Sequence, residues 1–309
     1  MADAEMPVVD STIRVTAPDT RVAGHRHPAA KGDQVQVIIL GSGSPLPDPE
    51  RAGPSTLVRT SAGDLLFDCG RGVLMRTAAV GAGAGSIRAL FLTHLHSDHI
   101  TDLNDLFTMR WAMSFTPNPL PVFGPTGTAA LLQATEAMLE PDIGYRLAHH
   151  DDLQWRPSST VLEADDGVIF EEGAVRVTAA PTDHAPVRPT LGFRIDEEDR
   201  SVVIAGDTVP CDGLDRLCAG ADVLVHTVVR RDLIEQIGLP RLADVLDYHS
   251  SVPDAARTAA RNSVRTLILT HLVPAPAPGT EPEWINQAAA EFSGHVILAE
   301  DLATLDVSP

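Results

Sequence analysis

The chain reads as an α/β fold in which two β-sheets pack face to face and helices cover their outer surfaces. Three observations predict this. Strand-like segments come in runs through each half of the sequence, helical segments are placed to cover them, and residues able to bind a metal stand just after strands. Runs of strands with interspersed helices bury their apolar faces best when two sheets share a core. At 309 residues and 44% hydrophobic, the chain is long enough to bury a large one. We divide it into an irregular N-terminal arm, 1–33, and a single domain, 34–309.

The arm is polar and broken by Pro7, Pro18 and Pro28, with one short strand around 12–16 and a His25-x-His27 pair read as solvated. Regular patterning begins at Gln34. The segment 34–40 is a strand ended by Gly41-Ser-Gly-Ser-Pro45, and 56–60 with 64–68 forms a hairpin. A helix over 72–80 leads through the glycine-rich joint 81–85 into a buried strand, 88–93. That joint precedes a strand and so makes a poor dinucleotide cradle. Helices follow at 102–113 and 127–139, separated by the Pro-rich stretch 117–125, and the acidic stretch 140–172 reads as loop and short strands. Strands come next at 174–178, 190–195, 201–205 and 222–226. Ser251 can cap a helix whose first turn holds Pro253 and Asp254. A strand at 265–270, a helix at 283–292 and a strand at 295–299 complete the order.

Composition narrows the function. A net charge of −19, from 42 acidic and 23 basic residues, disfavours polyanionic partners, so no nucleic acid is expected. The only lysine is Lys31, which excludes a phosphate-binding-loop lysine. No apolar run reaches the roughly 20 residues of a membrane span, and the N-terminus lacks the order of a secretory signal. The expected location is the cytoplasm. Cys69, Cys211 and Cys218 form no C-x-x-C pair and read as reduced, inert thiols.

The chemistry is concentrated in Thr93-His-Leu-His-Ser-Asp-His-Ile100, directly after a strand. In extended chain, residues two apart share a face, so His94 and His96 can close on one ion while Asp98 and His99 reach another. A mixed imidazole and carboxylate set suits zinc and leaves room for water. His184, Asp207 and His271 each follow a further strand, and strand ends on a rigid sheet hold ligands accurately.

His94-x-His96-x-Asp98-His99, His184, Gly206-Asp207-Thr208 and Thr270-His271 together resemble, in order, the metal motifs of the metallo-β-lactamase superfamily. Leu40-Gly-Ser-Gly-Ser-Pro45, Phe67-Asp-Cys-Gly70 and Tyr248-His-Ser-Ser251 resemble its tRNase Z and arylsulfatase branch. The resemblance implies an αββα sandwich with a dinuclear metal site at one edge of the two sheets. It implies two Zn2+ per chain, with Mn2+ or Fe as alternatives: His94, His96 and His184 on the first, Asp98, His99 and His271 on the second, and Asp207 bridging. It also implies a zinc-bridged hydroxide as the nucleophile, with Asp98 and Asp207 in the catalytic centre and His249 assisting the leaving group. Asp68 is a candidate to orient a ligand imidazole, and homodimers are common in such families.

Two departures steer the choice of substrate. Thr227 stands where tRNase Z enzymes carry a glutamate that assists the histidine matched by His249. The stretch matching their basic arm, 148–172, is acidic here. Met109, Arg110, Trp111, Met113, Phe115, Tyr145 and Trp155 offer apolar surface and one cation for a small organic molecule. The preferred reading is therefore a zinc-dependent hydrolase of an ester-type bond (aryl sulfate, lactone, thioester or phosphodiester) in a small molecule. The alternatives are a tRNase Z-type 3′ tRNA-processing endonuclease and a non-hydrolytic metal-binding or redox protein.

Overall fold

A computed structural model of the chain describes residues 35–308; the expected arm, with its strand and its His25-x-His27 pair, lies outside them. Two seven-stranded sheets form, each built to the same plan. The first contains β1 (Val35–Gly41), β2 (Ser55–Thr60), β3 (Gly63–Phe67), β4 (Ile87–Phe91), β5 (Leu120–Gly124) and β6 (Ser159–Glu163), with β14 (Thr304–Val307) beside β1. The second runs β7 (Gly167–Glu172), β8 (Val175–Pro181), β9 (Leu191–Glu197), β10 (Arg200–Ile204), β11 (Val223–Val229), β12 (Thr266–Val273) and β13 (His295–Leu298). In each, antiparallel strands give way to parallel ones, from β3 to β6 and from β10 to β13.

Side chains on alternate positions divide the apolar residues between layers. Val37, Ile39, Phe67 and Phe91 of the first sheet meet Val177, Phe193, Val225 and Ile268 of the second in the central core. Their opposite faces are covered by helices. Ile38, Leu40, Leu66 and Leu90 pack under α1 (Val73–Ala79), α3 (Leu103–Ala112) and α4 (Thr128–His149). Val203, Leu224 and Leu269 pack under α5 (Asp212–Cys218), α8 (Val252–Arg261) and α9 (Glu281–Ala289), around the fully buried Trp284. Three short helices complete the set: α2 (Ser97–Ile100), α6 (Arg231–Ile237) and α7 (Pro240–Ala243). This is the expected sandwich of two sheets between helical layers.

The cap on α8 is a reciprocal box. The Asp254 amide donates to Ser251 Oγ (3.3 Å), and the Ser251 amide donates to the Asp254 carboxylate (3.1 Å). Three elements depart from expectation. Helix α4 runs ten residues beyond 139, through Pro141. An interior proline costs about 3 kcal/mol, and here Ile143, Leu139 and Leu147 offset it by packing on Trp111 and Leu153. The Pro-rich stretch 117–125 contains strand β5, because Leu120 and Val122 are buried and pair with both neighbours. Strand β14 closes the first sheet from a segment too short to show a period.

Cys69 and Cys218 are buried, as expected, while Cys211 is partly exposed. Burial, reinforced by Asp102, pushes the Cys69 thiol well above its ordinary range, and burial pushes Cys218 up to about 12. A thiol-reactive chromophore at pH 8 is therefore expected to label Cys211 alone in the native protein. Cys69 and Cys218 should react only after denaturation, a difference readable by mass spectrometry.

Candidate metal centre

The functional side chains lie outside the carboxyl ends of the strands, where open α/β sheets leave a crevice. β3 ends at Asp68, β4 leads to His94, His96 and α2, β8 to His184, and β10 to Asp207. His271 lies within β12, two residues before its end, and has a left-handed φ of 51°. Asp68 also has a left-handed φ, 58°. Two such non-glycine residues at one site mark conformations that the surrounding fold must hold in place.

Two glycines make the approach possible. A Cβ on Gly206 would sit 2.8 Å from Thr93 Cβ, and one on Gly70 would sit 2.5 Å from the Asp98 carbonyl oxygen. The loop carrying Asp207 can thus close on the strand end before His94, and the loop after Asp68 on α2.

All seven residues expected to hold metal come together. His94, His96, His184 and Asp207 offer donor atoms within 4.8 Å of one another, as do Asp98, His99 and His271. His94 Nε2 is 2.9 Å from His96 Nδ1, which is 3.4 Å from His184 Nε2. Asp207 Oδ2 lies between the two sets, 3.3 Å from His99 Nε2, 3.5 Å from His271 Nε2, 3.8 Å from His94 Nε2 and 3.9 Å from His184 Nε2. Asp98 Oδ2 is 3.2 Å from His271 Nε2. His249 joins them, its Nε2 3.2 Å from Asp207 Oδ2.

Contacts behind the rings select which nitrogen faces inward. His99 Nδ1 donates to Asp68 (2.8 Å), His184 Nδ1 to the Tyr248 carbonyl (2.8 Å) and His249 Nδ1 to the Val245 carbonyl (3.0 Å). His94 Nδ1 faces Thr93 Oγ1 (3.0 Å), which itself donates to Asp68. Each Nε2 is left pointing into the cluster, the arrangement that outer partners impose on metal-bound histidines. Asp68 therefore has the orienting position that its motif suggests, held by the Thr93 amide at 2.8 Å.

The donor set fits cations better than it fits itself. His99 Nε2 and Asp207 Oδ1, which face the cluster, are buried without a hydrogen-bond partner, and orphaned polar atoms are costly inside a protein. Burial and neighbouring histidines hold His94 well below the ordinary imidazole range, and burial takes His184 to about 4. Burial opposes charge on His99 and His271 too, but Asp207 acting with Asp68 at His99, and with Asp98 at His271, outweighs it and raises both. The same histidines hold Asp207 ionised against its own burial.

Several expectations for a small-molecule pocket fail. Arg110 is buried, its guanidinium spent on the carbonyls of Ala84, Ile87, Asn118 and Pro119 and on the Asn118 side chain. Trp111 donates to the Trp155 carbonyl and packs with it in a small separate cluster. Met113, Phe115 and Tyr145 are exposed, and Met109 packs under the first sheet. Thr227 donates to the Gly206 carbonyl (2.9 Å), so the support for His249 comes from the Val245 carbonyl, an acceptor that sequence motifs do not encode. The acidic stretch 148–172 forms the end of α4 and the edge strands β6 and β7. Among the described residues, no helix is long and apolar enough to cross a membrane.

Comparison with known proteins agrees with this geometry. Residues 64–272 match the family described as a β-lactamase superfamily domain. Ribonuclease Z of Mycobacterium avium is 55% identical over 275 residues, 88% of this chain and 98% of that protein. Ribonuclease Z of Mycobacterium tuberculosis is 52% identical over 277 residues, 89% of this chain and 99% of that protein. Human tRNase Z, short form, superposes with a TM-score of 0.65 at 25% identity, over 89% of this chain and 100% of the other. A metallo-β-lactamase fold protein of Bacillus subtilis (TM-score 0.67, 23% identity, 89% and 100% coverage) supports the fold alone. These relatives overturn the expectation of a small-molecule substrate and no nucleic acid, and with it the arylsulfatase likeness. Net charge describes the whole surface, whereas the field at a site able to bind metal would be dominated by the ions bound there.

Two outcomes follow from the geometry. Replacing Asp68 by alanine should weaken metal binding about 10- to 100-fold, the usual cost of losing an outer partner, as read by competition with a chromogenic chelator. Because His99 and His271 hold protons that ligation must displace, binding should release protons and weaken as pH falls. Titrations in buffers of different ionisation enthalpy would measure that release.

Proposed function

On the premise that the chain belongs to the metallo-β-lactamase superfamily and to its ribonuclease Z branch, we propose that it is a metal-dependent endonuclease that cleaves a phosphodiester bond in precursor tRNA at the 3′ side. The observation that carries this reading is the 55% identity to a ribonuclease Z over nearly the whole of both proteins. Such a substrate would place the enzyme in the cytoplasm.

In this reading His94, His96 and His184 would hold one zinc ion and Asp98, His99 and His271 a second, with Asp207 available to both groups. Imidazole with carboxylate suits zinc, and manganese or iron are the competing ions for such a set. Cations bound there would supply a water activated near neutral pH and would neutralise charge on the phosphoryl oxygens. The chain's own groups do the rest. Asp68 and Thr93 fix the ring planes of His99 and His94 before substrate arrives, which lowers the cost of reaching the reactive geometry. His249, steadied through Nδ1 by the Val245 carbonyl, is positioned to give the proton on Nε2 to the departing oxygen. Thr227 takes no part in that transfer; a backbone carbonyl replaces the missing carboxylate as the orienting acceptor.

The test is turnover of a precursor tRNA with a 3′ trailer, run beside bis-p-nitrophenyl phosphate, p-nitrophenyl sulfate and an aryl lactone. Trailer release should have the highest kcat/KM and should vanish in Asp207→Ala. His249→Ala should lose about 10²- to 10⁴-fold in kcat while metal analysis shows unchanged content. Faster turnover of a small ester than of the RNA would refute the reading.

A further inference from the structure

We propose that the ring of Tyr248 is the platform on which a nucleobase beside the cleaved bond stacks. The inference rests on the ribonuclease Z reading and adds to it a residue that holds the substrate. Tyr248 immediately precedes His249, and its backbone carbonyl accepts the hydrogen bond from His184 Nδ1 (2.8 Å). Its ring stands 5.1 Å from that of His184 at 80° and 4.8 Å from that of His249 at 46°. The side chain is only partly buried, so an aromatic surface meets solvent at the edge of the donor cluster.

No other aromatic side chain among the described residues fills that place. The rings of Phe67, Phe91, Phe123, Phe170 and Phe193 pack on one another between the sheets. The second of the chain's two tyrosines, Tyr145, is on α4 and exposed. The side chains of the turn before Tyr248 offer no cation to a phosphate. It carries Asp244 and Asp247, both exposed, and two carboxylates repel phosphate. A neutral ring face can still hold a nucleotide through its base, and stacking tolerates any of the four. The ring's contacts with His184 and His249 tie that base to the reacting bond.

The test uses metal-loaded full-length protein and trailered precursor RNA in three forms: intact, and with the base removed from the nucleotide on either side of the cleaved bond. Stacking energies in single-strand recognition predict that Tyr248→Ala raises KM about 10- to 100-fold on intact RNA, with a much smaller change in kcat. Tyr248→Phe should retain the native KM. On one of the two abasic RNAs, native protein and Tyr248→Ala should have the same KM. In a second readout, an oligonucleotide carrying 2-aminopurine beside the cleavage position should lose fluorescence on binding the native protein and Tyr248→Phe, but not Tyr248→Ala.

Equal losses on intact and both abasic RNAs, or quenching that survives Tyr248→Ala, would overturn the stacking role while leaving the ribonuclease intact. Absence of cleavage by the native protein would instead remove the ribonuclease Z reading, and the fluorescence arm would still decide whether Tyr248 stacks on a base.

Discussion

Asp207 Oδ2 is the point on which the site depends. Five imidazole nitrogens, from His94, His99, His184, His249 and His271, lie within 3.9 Å of it. One carboxylate oxygen cannot accept hydrogen bonds from five rings. Without cations the cluster is left with two buried polar atoms unpartnered, His99 Nε2 and Asp207 Oδ1, and with imidazole rings crowded together. Such a cluster persists only where a large apolar core holds it, and the sheet-to-sheet packing supplies that core. Asp68, His94, His96, Asp98 and His99 come from the first sheet, and His184, Asp207, His249 and His271 from the second half of the chain. Behind the site, Phe67 and Phe91 of the first sheet meet Phe193 of the second in tilted and edge-on contacts that help fix how the halves pack.

This division of labour explains which parts were legible in the sequence. The strands that build the central core carry long Val, Ile and Leu runs, so 34–40, 88–93, 201–205 and 265–270 could be read directly from apolar pattern. The ligands could be read because each stands at the end of such a run and because four of them are packed into six residues. What failed to register was structure fixed by contacts made elsewhere. β5 contains Pro121 and reads as a loop until its neighbours are in place. The last ten residues of α4 are helical because Ile143 reaches Trp111, not because their local sequence favours helix.

The same distinction governs the substrate. Thr227 was read as a missing function because motifs record side chains, whereas the acceptor for His249 is the main chain at Val245. A carbonyl carries no identity in the sequence, so any residue with the right backbone could serve at 245. Arg110 was read as an anion anchor because an arginine beside aromatics resembles one. Its five donors are consumed by the loop between β4 and β5 and by the turn before β4, which makes it a fastener of backbone.

Net charge misled for a related reason. A total of −19 describes the average field, which decays over roughly 8–10 Å at physiological ionic strength. A phosphate of the proposed substrate would feel the cations that the donor cluster can hold, a few ångströms away, more than carboxylates on the far face of a 309-residue protein. An acidic surface also has a consequence of its own. It suppresses the sequence-independent adhesion that basic nucleic-acid-binding proteins show along any polyanion. In the ribonuclease Z reading proposed above, affinity for RNA would then come from a few contacts at the edge where the donor cluster, His249 and the Tyr248 ring lie together. Recognition and chemistry would then share one surface, and an RNA that failed to reach the donor cluster would have little else to bind.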